Sequence, residues 1–229
     1  MRVAHVDRRD TVRLVDSRYD SVGEGQSDAP HALAPLAEES TDVLADLVDL
    51  VGLTSARERA EHGDIPAFGR NVLVSGVRLA AVVNAAFAYP AGAGDGGGRF
   101  SDERVGAWYA GADLATARAE VEHHRRRFLV QARIAEAQLS FTAYLSDVTA
   151  QAAVLSARTD RRMLDPDSYA ASQLFANQCR KDGVGAIDYP SVRAVGGRCV
   201  AVLVPSLVQH VRRARTRHLG WSEGRFTWR

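Results

Sequence analysis

Three stretches of the chain carry the residue types that chemistry needs. Gly96-Gly97-Gly98-Arg99-Phe100-Ser101 puts an arginine on a glycine loop, Gly106-Ala107-Trp108-Tyr109-Ala110 follows as a short aromatic strand, and Thr116-Ala117-Arg118-Ala119-Glu120-Val121 presents one carboxylate from a helix. Glycine lets backbone N–H groups approach an anion closely. Arginine offers phosphate oxygens a planar, two-pronged donor that lysine lacks. A carboxylate beside such an anion can stabilise positive charge developing at a reacting bond. Together these are the parts of an enzyme site for an anionic nucleotide. Each also has a plain reading, as a flexible loop, a solvated arginine, a core tyrosine and a helix-face glutamate.

Other motifs exclude more than they assign. The glycine loop is neither GxxxxGK[ST] nor GxGxxG. Ser191 follows Tyr189-Pro190, which holds its hydroxyl in a turn, but it lies in no GxSxG elbow and lacks Asp and His partners at diagnostic spacing. It reads as a hydrogen-bonding serine and not as a nucleophile. Cys179 and Cys199 sit outside any CxxC or Cys/His spacing, which argues against a zinc site or a disulfide framework and for two reduced, buried thiols. The basic runs at 125–127 and 212–218 come with no nucleic-acid motif and no aromatic series, so both read as solvated helix faces.

The elements that must position these residues follow from pattern. Residues 11–15 alternate weakly as a strand, 21–35 read as a loop, and Ser40 or Thr41 caps a helix running to His62 as an N-terminal cover. Residues 77–88 form a helix apolar almost all round, hence central to the core. Asp113 caps a helix with Leu114, Ala117, Val121 and Phe128 on one face, and Glu120 falls at the edge of that stripe. Residues 139–145 read as a strand, with 132–138 open between strand and helix. Asp167 or Ser168 caps a helix through Cys179, stopped at Asp182-Gly183, and strands follow at 187–189 and 199–204. This mixed order favours α+β over a doubly wound sheet.

Composition sets the frame. With 229 residues, 46% of them hydrophobic, the chain can build one sizeable core, and one domain is the simplest organisation. The 29 basic and 28 acidic residues leave a net charge of +1, so no overall field draws the molecule to nucleic acid or membrane. Lys181 is the only lysine, which dilutes the information in any single arginine. The first ten residues lack the apolar core of a signal peptide, and the apolar stretch 72–89 is interrupted by Ser75, Arg78 and Asn84. A soluble, cytoplasmic protein is expected.

The order GGRF, GAWYAG, TARAEVEHH, then Gly183-Val184-Gly185-Ala186-Ile187-Asp188-Tyr189-Pro190-Ser191-Val192-Arg193 and Gly196-Gly197-Arg198-Cys199-Val200-Ala201 strongly resembles the RES domain family. The resemblance covers roughly residues 12–205, including Arg13-Leu14-Val15-Asp16-Ser17-Arg18-Tyr19, and the family's Arg, Glu and Ser are matched by Arg99, Glu120 and Ser191. It implies an ADP-ribosyltransferase-like mixed sheet core with flanking helices, an N-terminal helical elaboration at about 36–70 and an arginine-rich segment at 206–229. It also implies a toxin that breaks the nicotinamide–ribose bond of NAD with phosphate or water as acceptor, an NAD phosphorylase or glycohydrolase. NAD is then the substrate, with no cofactor or metal. The implied partner is an Xre-type antitoxin, through which alone nucleic acid is reached, in a complex that can hold a homodimer of the toxin.

Residue roles follow from the same resemblance. Arg13 and Arg99 hold the pyrophosphate or the attacking phosphate, Tyr109 packs against the nicotinamide end, Ser191 hydrogen-bonds the ribose or carboxamide, and Glu120 stabilises the oxocarbenium ion. Ser101 stands where the family commonly has Asn. Two alternatives stay open: transfer of ADP-ribose to a macromolecule, and an NAD-binding protein with weakened turnover.

Overall fold

A computed structural model of the protein describes residues 1–19, 73–88 and 97–229. Its elements are β1 (Val3–Asp16), α1 (Ala80–Ala88), β2 (Trp108–Gly111), α2 (Leu114–Gln131), β3 (Glu136–Val154), α3 (Ala170–Lys181), β4 (Ala186–Pro190), β5 (Arg198–Val202), β6 (Val208–Ser222) and β7 (Arg225–Trp228). This is a mixed α+β fold around one sheet. The 19-residue β3 lends both edges to its neighbours. One edge carries β1 antiparallel, from Val3↔Ala153 to Asp16↔Phe141. The other carries β6 antiparallel and then, from Ala152↔Ala186, β4 parallel. β4 pairs with β5, β5 with β2, and β2 returns to β1 at Val12↔Gly111. Five strands thus close into a ring, and the β6–β7 hairpin continues the sheet from it.

Both faces of the central strands β4 and β5 are covered, and these strands are buried along nearly their whole length. Successive strand residues face opposite ways, and β5 sends Val200 and Val202 to one core and Cys199 and Ala201 to the other. The first core is closed by α1, whose Val83 and Phe87 are fully buried. Asn84, the polar interruption in that helix, is buried too. It accepts from the Val74 N–H at 3.0 Å and donates to the Val74 carbonyl at 2.9 Å, so its amide does for Val74 what a neighbouring strand would. The second core is closed by α3 through Ala176 and Cys179.

A buried carboxylate spans the ring. Asp188 on β4, 1% exposed, accepts from Arg8 Nε of β1 at 2.8 Å and from Arg198 Nε of β5 at 2.7 Å. Alone in this environment a carboxylate would be strongly disfavoured, and two guanidinium partners make it tolerable.

Most of the expected elements are present, with longer strands. Residues 11–15 lie inside β1, and 139–145 lie inside β3, which also takes up 136–138 as strand. Asp113 caps α2 by accepting from the Thr116 N–H at 2.7 Å. The expected loop at 21–35, the helix at 40–62 and Gly96 lie outside the described residues.

Three expectations need correction. The 212–218 run is not helical but forms the middle of β6, paired with β3 at Thr142↔Thr216 and Phe141↔Arg217. Buried Val208, Val211, Leu219 and Trp221 flank it and fix it to the sheet, while long arginine stems keep their charged heads in water. Phe128 is 56% exposed and its neighbour Leu129 is buried instead. There the chain folds back over Leu129, with the Ile134 N–H donating to its carbonyl at 2.9 Å and Trp221 Nε1 pinning the Ile134 carbonyl at 2.9 Å. Finally, α3 begins after Tyr169 without a side-chain cap, and it is Asp165 that accepts from the Asp167 and Ser168 N–H groups, at 2.8 and 2.9 Å. Among the described residues no helix is long and apolar enough to cross a membrane.

Removing the Asp188 carboxylate leaves two arginines facing each other across the ring. Because both heads keep partial access to water, the expected cost of Asp188→Ala is about 3 kcal/mol, the low end for breaking a buried pair. Urea unfolding measures it, and a loss under about 1 kcal/mol would mean that water replaces the carboxylate.

Candidate active site

Ser191 stands where β4 ends and the chain turns towards β5. Its Oγ accepts from the backbone N–H of Arg193 at 3.1 Å and of Ala194 at 2.9 Å. A hydroxyl has two lone pairs and one proton. With both lone pairs engaged, the proton goes to the remaining neighbour, Glu120 Oε1, at 2.6 Å. Ser191 is therefore a donor to the carboxylate, held by its own turn, as the serine's context in the sequence suggested. That turn is closed by the Ser191 N–H to the Gly197 carbonyl at 2.9 Å and the Gly197 N–H to the Ala194 carbonyl at 3.0 Å. Gly197 has no room for a Cβ, which would stand 2.7 Å from Thr116 Oγ1 of α2. The helix carrying Glu120 and the turn carrying Ser191 thus meet at a glycine.

The Arg99 loop is built just as tightly. Gly97 has φ +86°, and a Cβ there would lie 2.5 Å from the Ser101 carbonyl. Tyr109 supports the loop from β2: its hydroxyl accepts from the Phe100 N–H at 2.7 Å and lies 3.0 Å from Ser101 Oγ. Ser101, where the family commonly has Asn, is buried inside this contact. α3 grips the loop from the other side with three residues on one helical face. Gln173 donates to the Gly98 and Ser101 carbonyls at 3.0 and 3.2 Å, Asn177 to Asp102 at 3.3 Å, and Arg180 to the Phe100 and Gly106 carbonyls at 3.3 and 3.2 Å. None of these three was singled out from sequence, because nothing in α3 marks a polar face as a clamp.

Arg99 is buried at the loop's tip. Nη1 donates to the carbonyls of Met163 at 3.2 Å and Asp165 at 2.7 Å, and the guanidinium lies 4.8 Å from the centre of the Tyr169 ring. Its Nε and Nη2 make no hydrogen bond to the described residues, so one side of the fork is held and the other can meet a ligand. Phe100 packs edge-on against Tyr189, centroids 4.9 Å apart, which ties the arginine loop to the strand leading into Ser191. Cys199 on β5 pairs with Tyr189, and its Sγ lies 3.8 Å from Glu120 Oε1. Burial, with Glu120 adding to it, pushes the Cys199 thiol up to about 12. Burial likewise pushes the Tyr189 phenol well above its ordinary value. Both are neutral donors at physiological pH.

Positive charge gathers around this pair. His123, one turn along α2 from Glu120, is held below its ordinary pKa by loss of water and by the cations Arg193, Arg127 and Arg99, with Asp167 opposing. A field that discourages an imidazolium attracts an anion. Arg193 followed Ser191 in the sequence motif but drew no role there; its Nη2 donates to the Pro166 carbonyl at 2.6 Å.

Of the five residues singled out from sequence, Glu120 and Ser191 are in contact, and Tyr109 of β2 holds the loop that carries Arg99 through Phe100, which packs against Tyr189. Arg13 is set apart from the Glu120–Ser191 pair. It lies over Trp108, 4.9 Å from the ring centre, beside its cross-strand partner Tyr144 in the first core, whereas Glu120 meets Ser191 on the side of Tyr189 and Cys199. It donates to the Tyr109 carbonyl at 3.3 Å, and burial pushes its guanidinium down to about 10. A cleft of about 980 Å³ adjoins the site through Met163 and Pro190 without including Glu120, Ser191 or Arg99.

The RES domain model matches residues 75–222, well over half of the 229 residues, and the chain belongs to the RES domain family. No curated protein matches its sequence. Among solved structures it is similar to a chain in the crystal structure of the M. tuberculosis MbcT-MbcA toxin-antitoxin complex, with 12% identity and a TM-score of 0.39 over 52% of this chain and 70% of that chain.

Tyr109→Phe removes the acceptor of the Phe100 N–H and should cost about 1–3 kcal/mol in chemical denaturation, the penalty for a buried donor left unpaired. Ser101→Ala should cost clearly less, since that N–H keeps its acceptor. Equal losses would show that the phenol supports the loop through Ser101.

Proposed function

We propose that this protein is an NAD-degrading toxin that cleaves the nicotinamide–ribose bond with phosphate or water as acceptor, and that a cognate Xre-type antitoxin neutralises it in the cytoplasm. The observation that carries the reading is the 2.6 Å contact between Ser191 and Glu120, a single carboxylate aimed by a neutral donor within a rim of arginines. Nicotinamide leaves as a neutral molecule from a cationic pyridinium, so the reaction asks chiefly for stabilisation of a ribosyl oxocarbenium ion. A fixed carboxylate supplies that. Glu120 faces the developing charge, the free side of Arg99 takes the pyrophosphate together with Arg193, and Ser191 keeps Glu120 in place. Five strands closed on a shared β3, with helices on both faces, fit an ADP-ribosyltransferase-like core. The antitoxin and the toxic outcome rest on membership of the RES family.

Incubating the purified protein with NAD, with and without phosphate, and identifying products by mass spectrometry tests the reaction. ADP-ribose or its 1″-phosphate supports cleavage, whereas label on a macromolecule supports transfer. Glu120→Gln keeps the size and loses the charge, and should slow turnover by at least about a hundredfold with folding nearly unchanged. Unchanged turnover would remove Glu120 from the mechanism. Arg99→Lys should weaken binding or turnover despite equal charge, because an ammonium cannot hold two carbonyls on one side and phosphate on the other. Induced in a bacterial cytoplasm, the wild type should deplete NAD and the Glu120→Gln variant should not.

A further inference from the structure

The two oxygens of Glu120 have different surroundings. Oε1 receives both neutral donors, Ser191 Oγ at 2.6 Å and Cys199 Sγ at 3.8 Å, and Oε2 has no hydrogen bond to the described residues. We propose that Cys199 is a positioning residue which, with Ser191, anchors Oε1 so that Oε2 is the oxygen presented to the substrate. The proposal rests on the reading of Glu120 as the carboxylate that stabilises the ribosyl cation.

The anchors come from different directions. Ser191 reaches Oε1 from the turn after β4, and Cys199 reaches it from β5, where it is paired with Tyr189 and 4% exposed. A single donor leaves a carboxylate free to pivot about that bond. A second donor on the same oxygen, from another strand, removes the pivot and fixes the plane of the group. The thiol suits the position because it donates weakly and stays neutral where burial and Glu120 oppose its ionisation, so it does not add a second anion beneath the first. Its contact with the carboxylate distinguishes it from Cys179, which is equally buried but has the Met1 thioether as its neighbour.

The test compares wild type, Cys199→Ser and Cys199→Ala in steady-state NAD cleavage, in thermal unfolding and in crystal structures. Ala deletes the donor, and kcat should fall about three- to tenfold, the size of one modest hydrogen bond, with KM within about twofold. Ser restores a donor and should keep kcat within about twofold of wild type. The Glu120 carboxylate should hold its plane in wild type and Ser and rotate in Ala. Wild-type kcat in the Ala variant overturns the proposal, as does an equal fall in Ser and Ala or a rise in KM alone. If the wild type cleaves no NAD, the functional reading fails, and the crystal structures then decide the positioning claim: an unmoved carboxylate in Cys199→Ala overturns it.

Discussion

The ring holds its shape around the Asp188 carboxylate. β1 has no ladder with β4 or β5, yet Arg8 and Arg198 converge on one buried side chain and fasten all three strands across the interior. Backbone pairing alone would leave β1 joined to β2 at a single register position, Val12↔Gly111. The same carboxylate sits three residues before Ser191, so the strand delivering the serine is fixed where it leaves the sheet. What the ion pairs stabilise, therefore, is the direction in which the chain departs.

The rest of the site is held by a helix on one side and a strand of the sheet on the other. α3 fastens the Arg99 loop with a glutamine, an asparagine and an arginine, and β2 supports it with a tyrosine hydroxyl. Two elements, one following the loop directly and the other about seventy residues further along the chain, thus converge on it. An arginine positioned in this way loses little freedom when it meets a ligand, and preorganisation of this kind turns a charged contact into useful binding. Arg99 is accordingly half engaged with the protein's own carbonyls, which makes its orientation a property of the fold.

How much of this was readable in advance depended on the range of the interaction. The Asp113 cap and the turn at Ser191 are local patterns, with donor and acceptor within a few residues, and they stand as the residues suggested. The 212–218 run was misread because seven consecutive residues, mostly polar, carry no apolar phase of their own; its strand character comes from β3, about 75 residues earlier in pairings such as Phe141↔Arg217. The placement of Arg13 over Trp108 depends on strand pairing and on a bulge between Arg8 and Thr11, neither of which sequence displays. Cys199 was legible as a reduced, buried thiol, but its contact with Glu120, like the places of Tyr189 and the α3 clamp, comes only from what folds against it.

The closed ring also dictates an order of assembly. β1 is made first, but its long partner begins at residue 136, and the ring is complete only when β5, at 198–202, has been synthesised. Contacts of such long range are slow to form, because the chain between them must be ordered before they repay its entropy. Glu120 consequently waits for Ser191 and Cys199, which arrive some seventy residues later from opposite ends of one β-turn region. A nascent chain on the ribosome carries the arginine loop and the carboxylate well before it carries anything to aim them. The surroundings of the Glu120 carboxylate are therefore complete only once the residues through β5 have been made.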